Sequence, residues 1–127
     1  MNRIRILLAD GHENFRPILA SFLRSLEGVD LVGEARDDQE AVSKSEELQP
    51  DLVLMDVHSQ EGNGFEAMKS IKAQRPATKV IAMSPDPDEL YERLSQMFAD
   101  GYIKKSAMKN SLLSLIAGEN IRLSQQP

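Results

Sequence analysis

The chain has no cysteine in its 127 residues and only two histidines. The absence of cysteine rules out disulfide staples and thiolate chemistry, and it suits a reducing compartment. No apolar run approaches the roughly 20 residues a bilayer-spanning helix needs. The N-terminal apolar run leads into Asp10 without the small-residue cleavage site of a signal peptide. Basic residues are in the minority, 15 against 20 acidic, for a net charge of −5. Phosphate backbones are gripped by basic excess, so the chain is not expected to hold nucleic acid by itself, whereas an acidic balance suits a cation site. Neither G-x-G-x-x-G nor G-x-x-x-x-G-K-[ST] occurs, which leaves a nucleotide-binding reading without its backbone phosphate cradle. What remains is an ordinary globular composition, of a length that suits one domain with a sizeable core, expected to be cytoplasmic.

Short aliphatic runs alternate with longer amphipathic stretches. Strands are expected at Ile4–Ala9, Val29–Glu34, Leu52–Met55, Val80–Met83 and Tyr102–Lys104. Several are apolar without strict alternation, as strands covered on both faces should be. The first helix carries Phe15, Ile18, Leu19, Phe22, Leu23 and Leu26 on one stripe, with Pro17 in its first turn. The second opens at "DDQE", where Asp37 and Glu40 have capping-box spacing, buries Ala41, Val42, Ser45 and Leu48, and ends at Pro50. A third follows Gly64, with Phe65, Met68 and Ile71 inward, and closes at Pro76. The fourth starts near "PDPDEL", with Leu90, Leu94 and Met97 inward, and the fifth runs from about Ala107 to Ala117 and stops at Gly118. Five βα units with short connections predict a parallel sheet with helices on both faces.

In open α/β sheets, ligands sit at the carboxyl ends of the strands. Those ends carry Asp10, Asp56, Ser84 and the pair Lys104–Lys105. Two carboxylates can hold a hard divalent cation, and lysine, serine and cation together suit phosphoryl oxygens. One carboxylate could itself be a nucleophile that forms an acyl phosphate. Plainer readings stand beside these: Asp10 as a helix cap, Asp56 as a turn former, Ser84 as a loop residue, Lys105 as a solvated lysine, Tyr102 as core. His12 and His58 fit no zinc spacing and read as loop residues.

The pieces "ILLADGHENFR", "PDLVLMD" with Gly64 eight residues past Asp56, "KVIAMS" and "ADGYIKKSA" resemble the receiver domain of bacterial two-component response regulators, over nearly the whole chain. "GHENFR", "LVGEA" and "DLVLMD" are most similar to receivers of the NarL/FixJ subfamily, which usually precede a LuxR-type helix-turn-helix DNA-binding domain. The resemblance implies a flavodoxin-like (CheY-like) doubly wound sheet of order 2-1-3-4-5, with residues 1–120 as receiver and 121–127 as a tail or the start of a linker. It implies Asp56 as phosphoacceptor from a sensor histidine kinase, Ser84 and Lys105 as phosphoryl-contacting groups, and Tyr102 as switch aromatic. It implies Mg²⁺ held by Asp10, Asp56 and the backbone carbonyl of His58. It also implies a homodimer through the helix 4–strand 5–helix 5 face, with DNA met only through an output domain outside this chain.

The departures from that pattern gather around the pocket. Gly11 stands at a normally acidic ligand position, so Mg²⁺ binding is expected to be weak. Ser59–Gln60 replaces a Met-Pro pair, Pro85 follows Ser84, and Phe98 stands where Gly or Ala is common. His58 and Asp86 occupy positions that tune phosphoryl lifetime in relatives. Together they keep a second expectation open, a phosphorylation-independent pseudo-receiver that serves as an interaction module.

Overall fold

Each of the five expected runs becomes a strand of one sheet in the computed structural model. The structure describes the backbone of residues 3–59, 62–84 and 89–125 and the side chains of 3–57, 64–84 and 92–117. The strands are β1 (Ile4–Ala9), β2 (Val29–Ala35), β3 (Leu52–Asp56), β4 (Lys79–Ser84) and β5 (Gly101–Lys104). All pairings are parallel, in the order β2-β1-β3-β4-β5. The helices are α1 (Arg16–Arg24), α2 (Asp38–Leu48), α3 (Phe65–Gln74), α4 (Glu89–Phe98) and α5 (Met108–Gln125), the last entered through a 3₁₀ turn, Lys105–Ala107.

Successive strand residues point to opposite faces, and the two cores divide accordingly. Ile6, Leu8 and Leu54 pack with Leu19 and Leu23 of α1 and with Met108 and Leu112 of α5. Leu7, Val53 and Met55 pack with Ala41 of α2, with Phe65, Met68 and Ile71 of α3, and with Leu94 and Phe98 of α4. Helices thus cover both faces, and all five residues of central β3 are buried.

Local chemistry accounts for the element ends. The Asp37 carboxylate accepts from the Glu40 backbone N–H at 2.7 Å and caps α2. The Glu40 carboxylate reaches back one residue further than a capping box does, to the Arg36 N–H at 2.9 Å. Gln49, left-handed at φ 49°, closes α2 immediately before Pro50. At the corner between α4 and β5, the Asp100 carboxylate accepts from the Val80 N–H (2.8 Å) and from Lys72 Nζ (3.0 Å), while the Asp100 N–H donates to the Val80 carbonyl (2.7 Å).

Four expectations are corrected. Ile18 is 64% exposed, because Leu19, Ala20 and Leu23 form the inner line of α1. Met97 is 72% exposed: the inward line of α4 is Leu94 and Phe98, four apart, with the Phe98 ring 5.8 Å from that of Phe65. The side chain of Leu90 lies outside the described residues. Helix α5 passes through Gly118 to Gln125, so residues 121–125 continue a helix; glycine costs a helix about 1 kcal/mol but keeps its N–H and does not by itself end one. Finally, His58–Ser59 pairs antiparallel with Gly62–Asn63 in a small ribbon for which "HSQEGN" holds no apolar alternation.

Candidate functional site

Strand register gathers the polar residues at one edge. Leu8 pairs with Leu54 and Ala9 with Met55, so the residues that follow, Asp10 and Asp56, come out at the same level. Asp56 pairs with Met83, which puts Ser84 one step beyond it, and Ser84 pairs with Lys104, which delivers Lys105 beside the acids. Asp10, Asp56 and Ser84 are all buried.

Lys105 Nζ lies 2.8 Å from Asp10 Oδ2 and 3.3 Å from Asp56 Oδ2, and 4.5 Å from the centroid of the Phe15 ring, a cation–π contact. The approach to Asp10 is out of line for hydrogen bonding: Asp10 Oδ2 is buried, ion-paired and without a hydrogen bond. Asp10 does not cap α1, whose N-cap residue is Phe15 and has no side-chain cap.

The residue that sequence reasoning missed is His12. Its backbone N–H donates to Asp10 Oδ1 at 2.8 Å, closing an Asx-type turn. That turn brings the half-exposed ring over the acids, with Nδ1 2.9 Å from Asp10 Oδ1 and 2.7 Å from Asp56 Oδ2. Lys105 Nζ is 3.3 Å from the same nitrogen. The signal available in the sequence was an Asp two residues before a His at a strand end, a spacing that looks too short for a site until the Asp folds the turn.

Gly11 has a steric cause. A Cβ there would lie 2.9 Å from the Arg36 carbonyl oxygen, closer than such contacts ordinarily come. The acid missing from the family pattern therefore cannot be restored without moving the loop between β2 and α2. Arg16 braces the other side: its buried guanidinium donates to the Asp10 carbonyl at 2.9 Å, pairs with Glu13 at 2.7 Å and lies 3.3 Å from Glu34. The hydrogen bond that Arg16 donates to Glu13, aided by the charges of Glu13 and Glu34, outweighs burial and raises the Arg16 pKa.

Of the other candidates, Tyr102 sits in β5 and packs into the core on the α3–α4 side, its hydroxyl buried without a hydrogen-bond partner among the described residues. His58 begins the small ribbon, and its side chain, like Pro85, Asp86 and Gln60, lies outside the described ones.

The donor set can be tested against the expected Mg²⁺. That ion favours six oxygens in near-ideal octahedral geometry. The side chains here offer two carboxylates and an imidazole, all within 4.8 Å of one another, and none from residue 11. They supply two carboxylates, a number from which Mg²⁺ can be held with water in its other positions, but one acid fewer than the family pattern provides.

Fold and pocket together define a doubly wound α/β domain with two acids, an imidazole and a lysine gathered at the carboxyl ends of its strands. The family model for the response regulator receiver domain matches residues 6–117, and the chain belongs to that family. It is 32% identical over 115 residues to the response regulator protein VraR of Staphylococcus saprophyticus, with 89% of this chain and 54% of that protein covered. It is 33% identical over 114 residues to the transcriptional regulatory protein LnrK of Bacillus subtilis, with 89% and 52% covered. The chain spans about half the length of the curated relatives it matches, which are regulators of the NarL/FixJ type. Among solved structures, a LuxR-family two-component response regulator from Aurantimonas sp. superposes with a TM-score of 0.84 at 26% identity, over 92% of this chain and 84% of that one. A CheY-like receiver domain from Methanospirillum hungatei shares the fold, with a TM-score of 0.82 at 22% identity, over 99% of this chain and 100% of that one. Among the described residues, no helix is long and apolar enough to cross a membrane.

Proposed function

We propose that the chain receives a phosphoryl group on Asp56 from the phosphohistidine of a sensor histidine kinase and passes the change on to an output. The observation that carries this is the register: it sets Asp56 at the end of β3 with Lys105 Nζ 3.3 Å from its Oδ2. An Asp56 oxygen attacks phosphorus, the P–N bond to the donor histidine breaks, and the released imidazole keeps the electron pair and takes up a proton. An acyl phosphate results. Lys105 and the Ser84 hydroxyl then hold phosphoryl oxygens, contacts that exist only in the phosphorylated state and so shift the population toward it. Tyr102, on the strand beside Ser84, relays that shift to the face of α4, β5 and α5, through which a second copy would dock. The cation of the family, Mg²⁺, with Asp10, Asp56 and the His58 carbonyl as ligands, binds weakly here because Gly11 contributes no carboxylate. Residues 1–120 act as receiver in a cytoplasmic regulator, and DNA is met through a helix-turn-helix domain outside this chain.

One observation favours a second reading, a phosphorylation-independent interaction module: His12 and Lys105 already contact both carboxylates. Intact-mass analysis after incubation with acetyl phosphate, with and without Mg²⁺ and beside Asp56→Asn, separates the two. A phosphoryl adduct on the parent chain that is absent from Asp56→Asn supports the receiver reading. No adduct under conditions that label an ordinary receiver supports the module.

A further inference from the structure

We infer that Asp10, His12 and Asp56 form a mixed nitrogen–oxygen site selective for a borderline divalent cation of the zinc class, with His12 Nδ1 as a ligand. The pocket is the one described above, but the inference does not require Asp56 to be phosphorylated.

Three observations converge. First, His12 Nδ1 faces both acids, at 2.9 Å from Asp10 and 2.7 Å from Asp56. Donor atoms bound to one zinc-class ion sit about 2.0–2.2 Å from it, so a modest opening of these contacts accepts the ion. Second, Asp10 Oδ2 is a buried carboxylate oxygen at the pocket that makes no hydrogen bond, and the Asp10 side chain has no exposed surface. A hydrogen-bond-deficient buried carboxylate is costly unless a charge satisfies it, and Lys105 supplies only one positive charge against two carboxylates. Third, Gly11 is held too close to the Arg36 carbonyl for a side chain, so the backbone removes an oxygen ligand at the point where the neighbouring residue supplies a nitrogen.

Ligand chemistry sets the selectivity. Imidazole suits zinc and its neighbours, whereas magnesium takes oxygen and sheds water reluctantly. In the bound state the His12 ring carries its proton on Nε2 and presents the Nδ1 lone pair to the ion. The Asp10 Oδ1 contact to the His12 backbone N–H already fixes the turn, which holds the ligand in place as outer contacts do in known metal sites.

The test is isothermal titration of the whole chain with ZnCl₂ and, separately, MgCl₂, for the parent and the His12→Ala, His12→Gln and Met97→Gln variants, with thermal melts to verify folding. One Zn²⁺ per chain is expected. Loss of an outer contact to a metal ligand already costs about 10–100-fold in affinity, so His12→Ala should weaken Zn²⁺ by about tenfold or more. Mg²⁺ binding should stay unchanged, and Met97→Gln, on the exposed side of α4, should keep the parent Zn²⁺ affinity. His12→Gln, which keeps bulk and offers oxygen, should narrow the gap between the two ions. Nitrogen NMR of the imidazoles should show the His12 Nδ1 resonance moving on Zn²⁺ addition. An unchanged Zn²⁺ affinity in folded His12→Ala, an equal loss in Met97→Gln, or no Zn²⁺ binding by the parent chain overturns the inference. Acetyl phosphate labelling is scored separately, so failure of phosphorylation and failure of metal binding are distinguishable.

Discussion

The carbonyl oxygen of Arg36 lies 2.9 Å from where a Cβ on Gly11 would stand, and this contact governs what the pocket can become. An engineered acid at residue 11 meets a backbone atom before it meets a cation. Gly11→Ala and Gly11→Asp should therefore both destabilise by about 1–3 kcal/mol, the usual cost of forcing extra atoms into a packed region. Paired thermal melts check this: similar losses in both variants identify the cause as steric, whereas a loss confined to Gly11→Asp would assign it to charge.

Lys105 holds both carboxylates. Lys105→Met leaves two buried acids with no ammonium between them, and removing one partner of a buried pair costs about 3–5 kcal/mol. That upper range is discounted here because the half-exposed His12 ring reaches the same oxygens, and a fall of about 1–3 kcal/mol in denaturant unfolding is expected. Zn²⁺ should recover more stability in this variant than in the parent chain, since the ion no longer competes with an ammonium.

Arg16 ties the loop after β1 to β2 through the Asp10 carbonyl, Glu13 and Glu34. Arg16→Met should cost about 1–3 kcal/mol by orphaning the Asp10 carbonyl and the partly buried Glu34. A raised arginine pKa contributes stability that is complete below the unfolded value, itself far above neutrality, and is lost only as pH climbs through the higher folded one. The difference between parent and variant should hence be flat from pH 6 to 9, as melts across that range would show; a difference that shrinks within it would assign the effect to another group.

On α4, Met97→Gln should change stability by no more than about 0.5 kcal/mol, as exposed substitutions usually do. Phe98→Ala removes a half-buried ring packed on Phe65, and a loss of about 1–3 kcal/mol is expected. Urea unfolding of the two variants checks the inward line of this helix.

Those last two residues show where the sequence is legible and where it is not. The strands could be placed because each is a buried aliphatic run bounded by polar residues; Ile4–Ala9 needs no tertiary information. Two lines through α4 are equally apolar, one through Leu94 and Met97 and one through Leu94 and Phe98, and only the packing of Phe65 from α3 decides between them. In the pocket, Asp10, Asp56, Ser84 and Lys105 were visible because parallel strands deliver their last residues to one edge. His12 was not, since its position depends on a side-chain-to-backbone turn that no periodicity records. Nor could the cause of Gly11 be read, because the atom that excludes a side chain belongs to the loop after β2, a separate part of the chain.

Asp100 fixes the corner between α4 and β5. Its carboxylate and its own N–H bind Val80 from two directions and Lys72 besides, riveting that corner to the edge of the sheet opposite the acids. The helix starts at Glu89, five residues after Ser84, and its ten residues span about 15 Å. The chain is thus pinned where it leaves α4 for β5, at the end of β4 opposite the one that carries Ser84.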